Sequence, residues 1–357
     1  MVKTIGIIGG GQLGKMISHS AQELGFKTLI FSDVANSCAV LTSNQSIIAS
    51  YEDESALEKF ASAVDVATFE FENIPFSTID YLANKTKIFP NPNILKIAQN
   101  RLLEKNFLNA QNIDTVRYYE INNLKQLQDG LANFNGKGIL KTSMMGYDGK
   151  GQIKIENHIN AEEAFKILGN AEKIPLILEE FCHFDGEISI IITRNKAEIA
   201  SFAPLKNIHK NGILSKSIFP CGYSQNIINS AEIIAKKIAT NLDLIGVLAV
   251  EFFVVGEELL VNEIAPRPHN SGHFSMDGAS ISQFEQLIRA ITGLKLGSPQ
   301  FYFEGFMQNL IGDEVNKIDE YYNANNARIY LYGKGDAKDG RKMGHINFLT
   351  NNTISHL

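Results

Sequence analysis

The chain has 357 residues, 44% of them apolar and 20% charged, with a formal net charge of −6. That length suits two or three domains, and the acidic balance argues against a sequence-independent nucleic-acid binder while leaving room for a local basic pocket that takes small anions. Cys38, Cys182 and Cys221 are too few and too far apart for a disulfide framework or a zinc site, and are expected to be buried and reduced.

The N-terminus runs directly into a strand pattern, Val2–Ile8, with no basic segment or cleavage site before it. No apolar run reaches the roughly 18 residues of a membrane span, so a cytoplasmic protein without a membrane partner is expected. Thr4–Ile8 reads as a strand, followed by glycines and a helix from about Gln12 to Leu24 that Gly25 stops. Thr28–Phe31 and Val66–Phe69 are strand-like, and Ala56–Ala63 has helical period. Strands alternating with helices imply a parallel sheet. Phe89-Pro90-Asn91-Pro92 breaks the pattern and marks a domain edge. Residues 93–110 read as a helix, with Leu95, Ala98, Leu102 and Leu103 at helix spacing. Two short apolar runs flank the polar, Gly-rich Thr142–Gln152, and Ile174–Glu180 and Ile188–Thr193 are strand-like. Ala231–Leu242 is an amphipathic helix, Val247–Val255 and Leu259–Ile264 form a strand pair, and Phe284–Ile291 is a helix ended by Gly293. The polar C-terminal stretch reads as short strands.

Three clusters carry chemistry. Gly9, Gly11 and Gly14 match G-x-G-x-x-G between a strand and a helix, and Asp33 ends the second strand. Taken alone, this is a dinucleotide fingerprint and raises an NAD-dependent oxidoreductase; the alternative is a tight strand–helix turn with no dinucleotide. The rest of the chain does not look like a dehydrogenase. In the centre, Lys141 closes an apolar run and Gly146-Tyr147-Asp148-Gly149-Lys150-Gly151-Gln152 follows. A flexible loop of free N–H groups with a cation inside can fold over a polyphosphate, although the spacing is not that of a Walker loop.

The third cluster is a hairpin. Glu251 sits mid-strand among apolar residues, and Asn262-Glu263 lie near the end of the facing strand. Buried carboxylates are costly unless paired or bound to a cation. No Lys or Arg lies in either strand, which favours a hard cation such as Mg²⁺ held by two carboxylates and phosphate oxygens. Register decides whether they can share it. Opposing Glu251 with Glu263 pairs Val255 with Leu259 across the loop Gly256-Glu257-Glu258. A two-residue loop would face Glu251 to Asn262 and turn Glu263 away. The site therefore needs the first register, or a bulge that restores it. Just beyond, Ala265-Pro266-Arg267-Pro268-His269-Asn270-Ser271-Gly272-His273 is a stiff, acid-free run suited to cradling anions.

Together these residues resemble the ATP-grasp superfamily, and within it the 5-(carboxyamino)imidazole ribonucleotide synthases. The likeness spans nearly the whole chain. It includes residues 9–14, Thr-Phe-Glu-Phe-Glu-Asn-Ile-Pro at 68–75, the loop at 146–152, Phe184–Ser189, Asn207-Ile208-His209, Gly212-Ile213-Leu214, Asn262–His273 and Gly340–His345. The resemblance implies an α/β fold, α+β in parts. An N-terminal Rossmann-like pre-ATP-grasp domain would cover 1–100, an ATP-grasp domain 101–296 with a lid at about 115–178, and a small C-terminal domain 297–357. It implies ATP-dependent carboxylation of 5-aminoimidazole ribonucleotide through carboxyphosphate, with Mg²⁺ or alternatively Mn²⁺.

The resemblance also implies roles. Arg101, Lys141, Gly146–Gln152, Glu179, Glu180, Phe181, Cys182, Glu187, His209, Asn262 and Glu263 would bind ATP, with Glu179–Cys182 on the adenine edge and Glu187 on the ribose. Glu251 and Glu263 would hold the metal. Tyr147, Asp148, Arg267, His269 and Asn270 would surround the imidazole and carboxyphosphate. Lys334 and Arg341 would clamp the substrate phosphate, and Gln12, Leu13 and Glu72 would face the same cleft. A homodimer is common in such families. Competing readings are another ATP-grasp ligase such as a formate-dependent transformylase, the oxidoreductase, and a non-enzymatic regulator on a decayed fold. Intact Lys141, Glu251, Glu263 and Arg267 argue against decay.

Overall fold

The computed structural model describes residues 3–144, 151–156, 161–169 and 174–352. Three sheets organise them. The first is a parallel four-stranded sheet in the order Gln45–Ile48, Lys27–Ser32, Thr4–Ile8, Val66–Phe69. Helix Gln12–Glu23 follows its first strand and buries Leu13, Met16, Ile17 and Ala21, positions spaced to share one helical stripe. That stripe packs in the same core as Phe284, Leu287 and Ile288 of helix Gln283–Thr292, each such side chain contributing roughly 1.5–3 kcal/mol when fully buried. This packing joins the first sheet to the second.

The second sheet has nine strands. Glu258–Ala265 lies at one edge, then Gly246–Val255, Gly186–Arg194, Leu205–Lys210, Ile213–Phe219, Phe303–Ile311, Lys342–Asn352 and Ala327–Leu331, with Ile199–Ser201 beside Gly186–Arg194. The third sheet is antiparallel, in the order Tyr118–Ile121, Leu176–Glu180, Gly138–Thr142, Gln152–Ile155. Helices Leu124–Asn133 and Ala161–Leu168 share its separate core with Ile121, Leu140 and Leu178.

Three sequence expectations need correction. The segment at 93–110 is two helices, Pro92–Ala98 and Arg101–Ala110. Asn100 breaks it, because its side chain accepts from the N–H groups of Leu102 and Leu103 and caps the second helix. The C-terminal strands are long, not short: nine residues at Phe303–Ile311 and eleven at Lys342–Asn352. Their buried faces carry polar Asn309, His345 and Asn347, which hides the alternation. Finally, Cys38 and Cys221 are buried, but Cys182 is only partly so, and all three are free.

Candidate active site

The hairpin settles the register. Its loop is the two-residue one, Gly256-Glu257, so Val255 pairs with Glu258 and Phe252 with Val261. Gly256 turns the chain with φ +59°, a conformation glycine adopts freely. The register then shifts between Phe252 and Glu251, which pairs with Glu263. Asn262 is the extra residue of this bulge, which puts the two carboxylates on one face. The restored register is the second of the two arrangements that allow a shared site.

Both carboxylates open into a cavity of about 670 Å³ between the three sheets. The second sheet supplies Glu187, His209, Glu251, Asn262 and Glu263, and the third supplies Lys141 and Gln152. Helix Gln12–Glu23 adds Gln12 and Leu13, and the segment after strand Val66–Phe69 adds Glu72; Arg101, Arg267, His269 and Asn270 complete the expected residues in the wall. Charge in the cleft is arranged in pairs. Glu72 Oε1 lies 3.0 Å from Arg267 Nε, and Glu187 Oε2 lies 3.0 Å from His209 Nδ1. Burial would depress His209, but Glu187 reverses this and raises it overall. Arg101 Nη1 donates to the Thr142 carbonyl oxygen at 2.9 Å, tying the first turn of its helix to the third sheet.

Glu251 is 8% exposed. Burial, then Glu263 opposite, push its carboxyl well above the ordinary range. A cation between them would offset both effects. Among the described residues, no Lys or Arg lies within ion-pair distance of either carboxylate, and no cluster of three or more metal-type ligands occurs. The donor set fits a hard cation that takes two carboxylates and completes its shell with phosphate and water oxygens.

His269 Nε2 sits 3.2 Å from Glu251 Oε1. Its Nδ1 accepts from the Ser271 N–H at 3.3 Å and lies 2.8 Å from Ser271 Oγ. A backbone N–H can only donate, so the imidazole proton belongs on Nε2, facing Glu251. Burial, then Arg267, hold His269 well below its ordinary range, which favours the neutral imidazole that the Ser271 N–H contact calls for. It therefore fixes one oxygen of Glu251, as partners of metal ligands do. Gln283 in turn grips the His269 backbone through both its N–H and its carbonyl. Both polar atoms of Asn270 are buried with no hydrogen-bond partner among the described residues, as befits an amide that serves a ligand.

The remaining expected residues lie elsewhere. Gly146, Tyr147, Asp148, Gly149 and Lys150 fall outside the described residues. The carbonyl of Gly151 accepts from the Thr142 N–H at 2.9 Å. Glu179, Glu180, Phe181, Cys182, Lys334 and Arg341 are not in the cavity wall. Glu179 turns inward, with Lys141 Nζ at 2.6 Å on one oxygen and Lys105 Nζ at 3.3 Å on the other. Burial would raise its carboxyl, but the two lysines bring it down to about 2. Glu180 turns outward onto Arg117. Lys334 is close enough to feel Cys38, Arg341, Glu70 and Lys342, with its ammonium 5.4 Å from the Tyr332 ring centre.

Sequence reasoning missed several wall residues. Phe184 and Phe253 stack at 4.5 Å between ring centres and line the cavity, a flat apolar surface suited to a base. Lys342 also lines it. Buried Lys105 and Glu104 sit just behind, and the Glu104 carboxylate accepts from the Ile264 N–H beside Glu263. The period of helix Arg101–Ala110 carried a signal for these two, since Glu104 and Lys105 fall on its buried stripe.

Comparison with known proteins agrees with this geometry. The ribonucleotide synthetase preATP-grasp domain matches residues 2–99, the ATP-grasp domain 106–284, and the phosphoribosylaminoimidazole carboxylase C-terminal domain 305–355. An N5-carboxyaminoimidazole ribonucleotide synthase from Brucella melitensis is 42% identical over 98% of this chain and 97% of its own. The Bacillus subtilis protein of that name is 40% identical over 97% and 91%. An N5-carboxyaminoimidazole ribonucleotide synthetase solved as its ADP complex superposes with a TM-score of 0.94, at 37% identity, covering 99% of this chain and 95% of that one. The Aspergillus clavatus synthase in complex with ADP and 5-aminoimidazole ribonucleotide gives 0.92 at 28% identity, with the same coverage. The chain belongs to the N5-carboxyaminoimidazole ribonucleotide synthase family of ATP-grasp ligases.

Proposed function

We propose that this cleft joins bicarbonate to the exocyclic amine of 5-aminoimidazole ribonucleotide at the expense of ATP, a step of purine biosynthesis. The observation that carries the reading is the bulged hairpin, which aims Glu251 and Glu263 at one cavity shared with Lys141 and Arg267. A bicarbonate oxygen attacks the γ-phosphorus and ADP leaves. The amine nitrogen then attacks the carbon of carboxyphosphate. Phosphate departs with the bridging oxygen, and the nitrogen loses a proton. No covalent enzyme intermediate is needed.

The side chains act mainly by position and charge. Lys141, Arg101 and Gln152 face the phosphates, Glu187 with His209 the ribose, and Phe184 with Phe253 the base. The segment Glu179–Cys182 supplies the adenine edge through its backbone, while the Glu179 carboxylate holds Lys141. Arg267, pinned by Glu72, and Asn270 face bicarbonate and the carboxyphosphate formed from it, together with Tyr147 and Asp148. Lys334 and Arg341 take the ribonucleotide phosphate beside Gln12 and Leu13. Glu251 and Glu263 would hold Mg²⁺, or Mn²⁺, which when bound neutralises phosphate charge.

Carboxyphosphate is labile in water, so residues at about 115–178, including 146–152, serve as the lid of an ATP-grasp domain at 101–296, flanked by a pre-ATP-grasp domain at 1–100 and a C-terminal domain at 297–357. No helix among the described residues is long and apolar enough to cross a membrane. A cytoplasmic homodimer without nucleic-acid or membrane partners completes the proposal, and light scattering tests the dimer. The reaction itself is tested by phosphate release with ATP, bicarbonate and the ribonucleotide, each omitted in turn. Full release without the ribonucleotide would overturn the assignment.

A further inference from the structure

Gln12 and Leu13 serve the reaction above, but the glycines of the fingerprint at Gly9–Gly14 are left without a task. The N–H groups of the fingerprint's second and third glycines are already engaged. Gly11 N–H donates to Glu70 Oε1 at 2.6 Å, and Gly14 N–H donates to Glu70 Oε2 at 3.1 Å. Glu70 directly follows strand Val66–Phe69, which pairs with Thr4–Ile8 so that Phe69 faces Ile8, and its own N–H donates to the Ile8 carbonyl oxygen. The carboxylate therefore stands at the carboxyl ends of two parallel strands. The strand order reverses at this pair, the place where such sheets take phosphates and nucleotides.

The seat is shaped for that side chain. A Cβ on Gly9 would lie 2.3 Å from Glu70 Cγ, and one on Gly11 would lie 2.6 Å from Glu70 Oε1. In a dinucleotide fold these glycines admit a pyrophosphate to the helix N-terminus. Here they admit a carboxylate of the chain itself. Glu70 is 6% exposed yet borders the cleft. Burial lifts its carboxyl above the ordinary range, a rise that the two N–H donors, Arg267 and Lys334 offset only in part; the two backbone N–H groups that donate to its oxygens favour the anion. Between the two N–H donors run Gln12 and Leu13, both in the cavity wall.

We infer that Glu70 is a positioning residue, a resident anion that closes the phosphate-type loop and sets Gln12, Leu13, Arg267 and Lys334 for the ribonucleotide. This rests on the substrate site proposed above. The geometry also makes the anion replaceable: without the side chain, two N–H donors and two nearby cations face a space the size of a small carboxylate.

The test uses the full-length enzyme with Glu70→Ala and Glu70→Gln. For Glu70→Ala, the KM for the ribonucleotide should rise about tenfold or more while the KM for ATP stays within about twofold. Added formate or acetate should restore the ribonucleotide KM, and chloride at equal ionic strength should not. Glu70→Gln keeps an acceptor for Gly11 but turns a donor toward Gly14, so its ribonucleotide KM should rise without rescue. An unchanged ribonucleotide KM in Glu70→Ala overturns the inference. So do equal losses for both substrates with no response to formate. If Glu70→Ala does not fold, Glu70→Gln decides, and wild-type kinetics in it reject the inference. Ribonucleotide-independent turnover by the wild-type enzyme would instead remove the substrate assignment beneath it.

Discussion

The N-terminal glycine loop and the central carboxylate hairpin are opposite cases of one problem. The loop carries a recognisable phosphate pattern, and its donors are satisfied by Glu70, which lies 59 residues from Gly11 in sequence. The hairpin carries no phosphate pattern, and among the described residues Glu251 meets the imidazole of His269 while neither carboxylate has a Lys or Arg within ion-pair distance. A motif states what a segment can bind. Whether it does depends on what the rest of the chain has already placed there, because a buried polar group takes an internal partner where one is offered. The loop is closed by its own protein, and the hairpin is left for a ligand.

The largest effect should come from breaking the hairpin. Glu263→Gln keeps the shape and removes the charge, so kcat should fall about 10²–10³-fold while Tm moves by less than about 3 °C. Phosphate release and a thermal melt check both. Parallel collapse of activity and stability would make Glu263 structural and the hairpin no different from the loop.

Next in size is the cationic group beside the loop. Lys334→Ala and Arg341→Ala should each weaken ribonucleotide binding by roughly 1.5–3 kcal/mol, with ATP binding nearly unchanged, as calorimetry would show. Equal losses for both ligands would mean that these cations serve ATP.

A pH profile sharpens the same point. Burial, together with Arg341 nearby, brings the Lys334 ammonium down to about 8. It is charged below that pH and neutral above it. The KM for the ribonucleotide should therefore rise with pH above about 8, by up to about tenfold per unit, with the KM for ATP flat. A ribonucleotide KM that does not change through this range would separate Lys334 from the phosphate. The smallest expected effect is none at all: NADH should leave the melting temperature unchanged, whereas ATP with Mg²⁺ should raise it. Stabilisation by NADH would mean that Glu70 does not close the loop.

Local pattern makes much of this molecule legible in its sequence. The apolar runs Val247–Val255 and Leu259–Ile264 on either side of Gly256 gave the hairpin, and strands alternating with helices over residues 4–69 gave the parallel sheet. Turn length and bulge together were beyond it, because Asn262 is extruded only when the partner strand is present. Asn100 splits a helix by accepting two backbone N–H groups, a choice that periodicity does not reveal. The C-terminal strands were obscured by polar residues satisfied at long range. Asn309 donates to Leu214, and Asn347 to His273. Motif positions identified most of the cavity wall. They could not show that Glu179 would turn inward onto Lys105 and Lys141, since that pairing joins a strand and a helix far apart in sequence.

The central claim is that this cleft phosphorylates bicarbonate before the amine attacks. Bicarbonate labelled with ¹⁸O tests it most directly. The oxygen that attacks the γ-phosphorus stays on phosphorus when the carbon passes to nitrogen. Released phosphate should therefore carry one bicarbonate oxygen per turnover, at a rate that depends on the ribonucleotide. Unlabelled phosphate, released as fast as the product forms, would contradict the account.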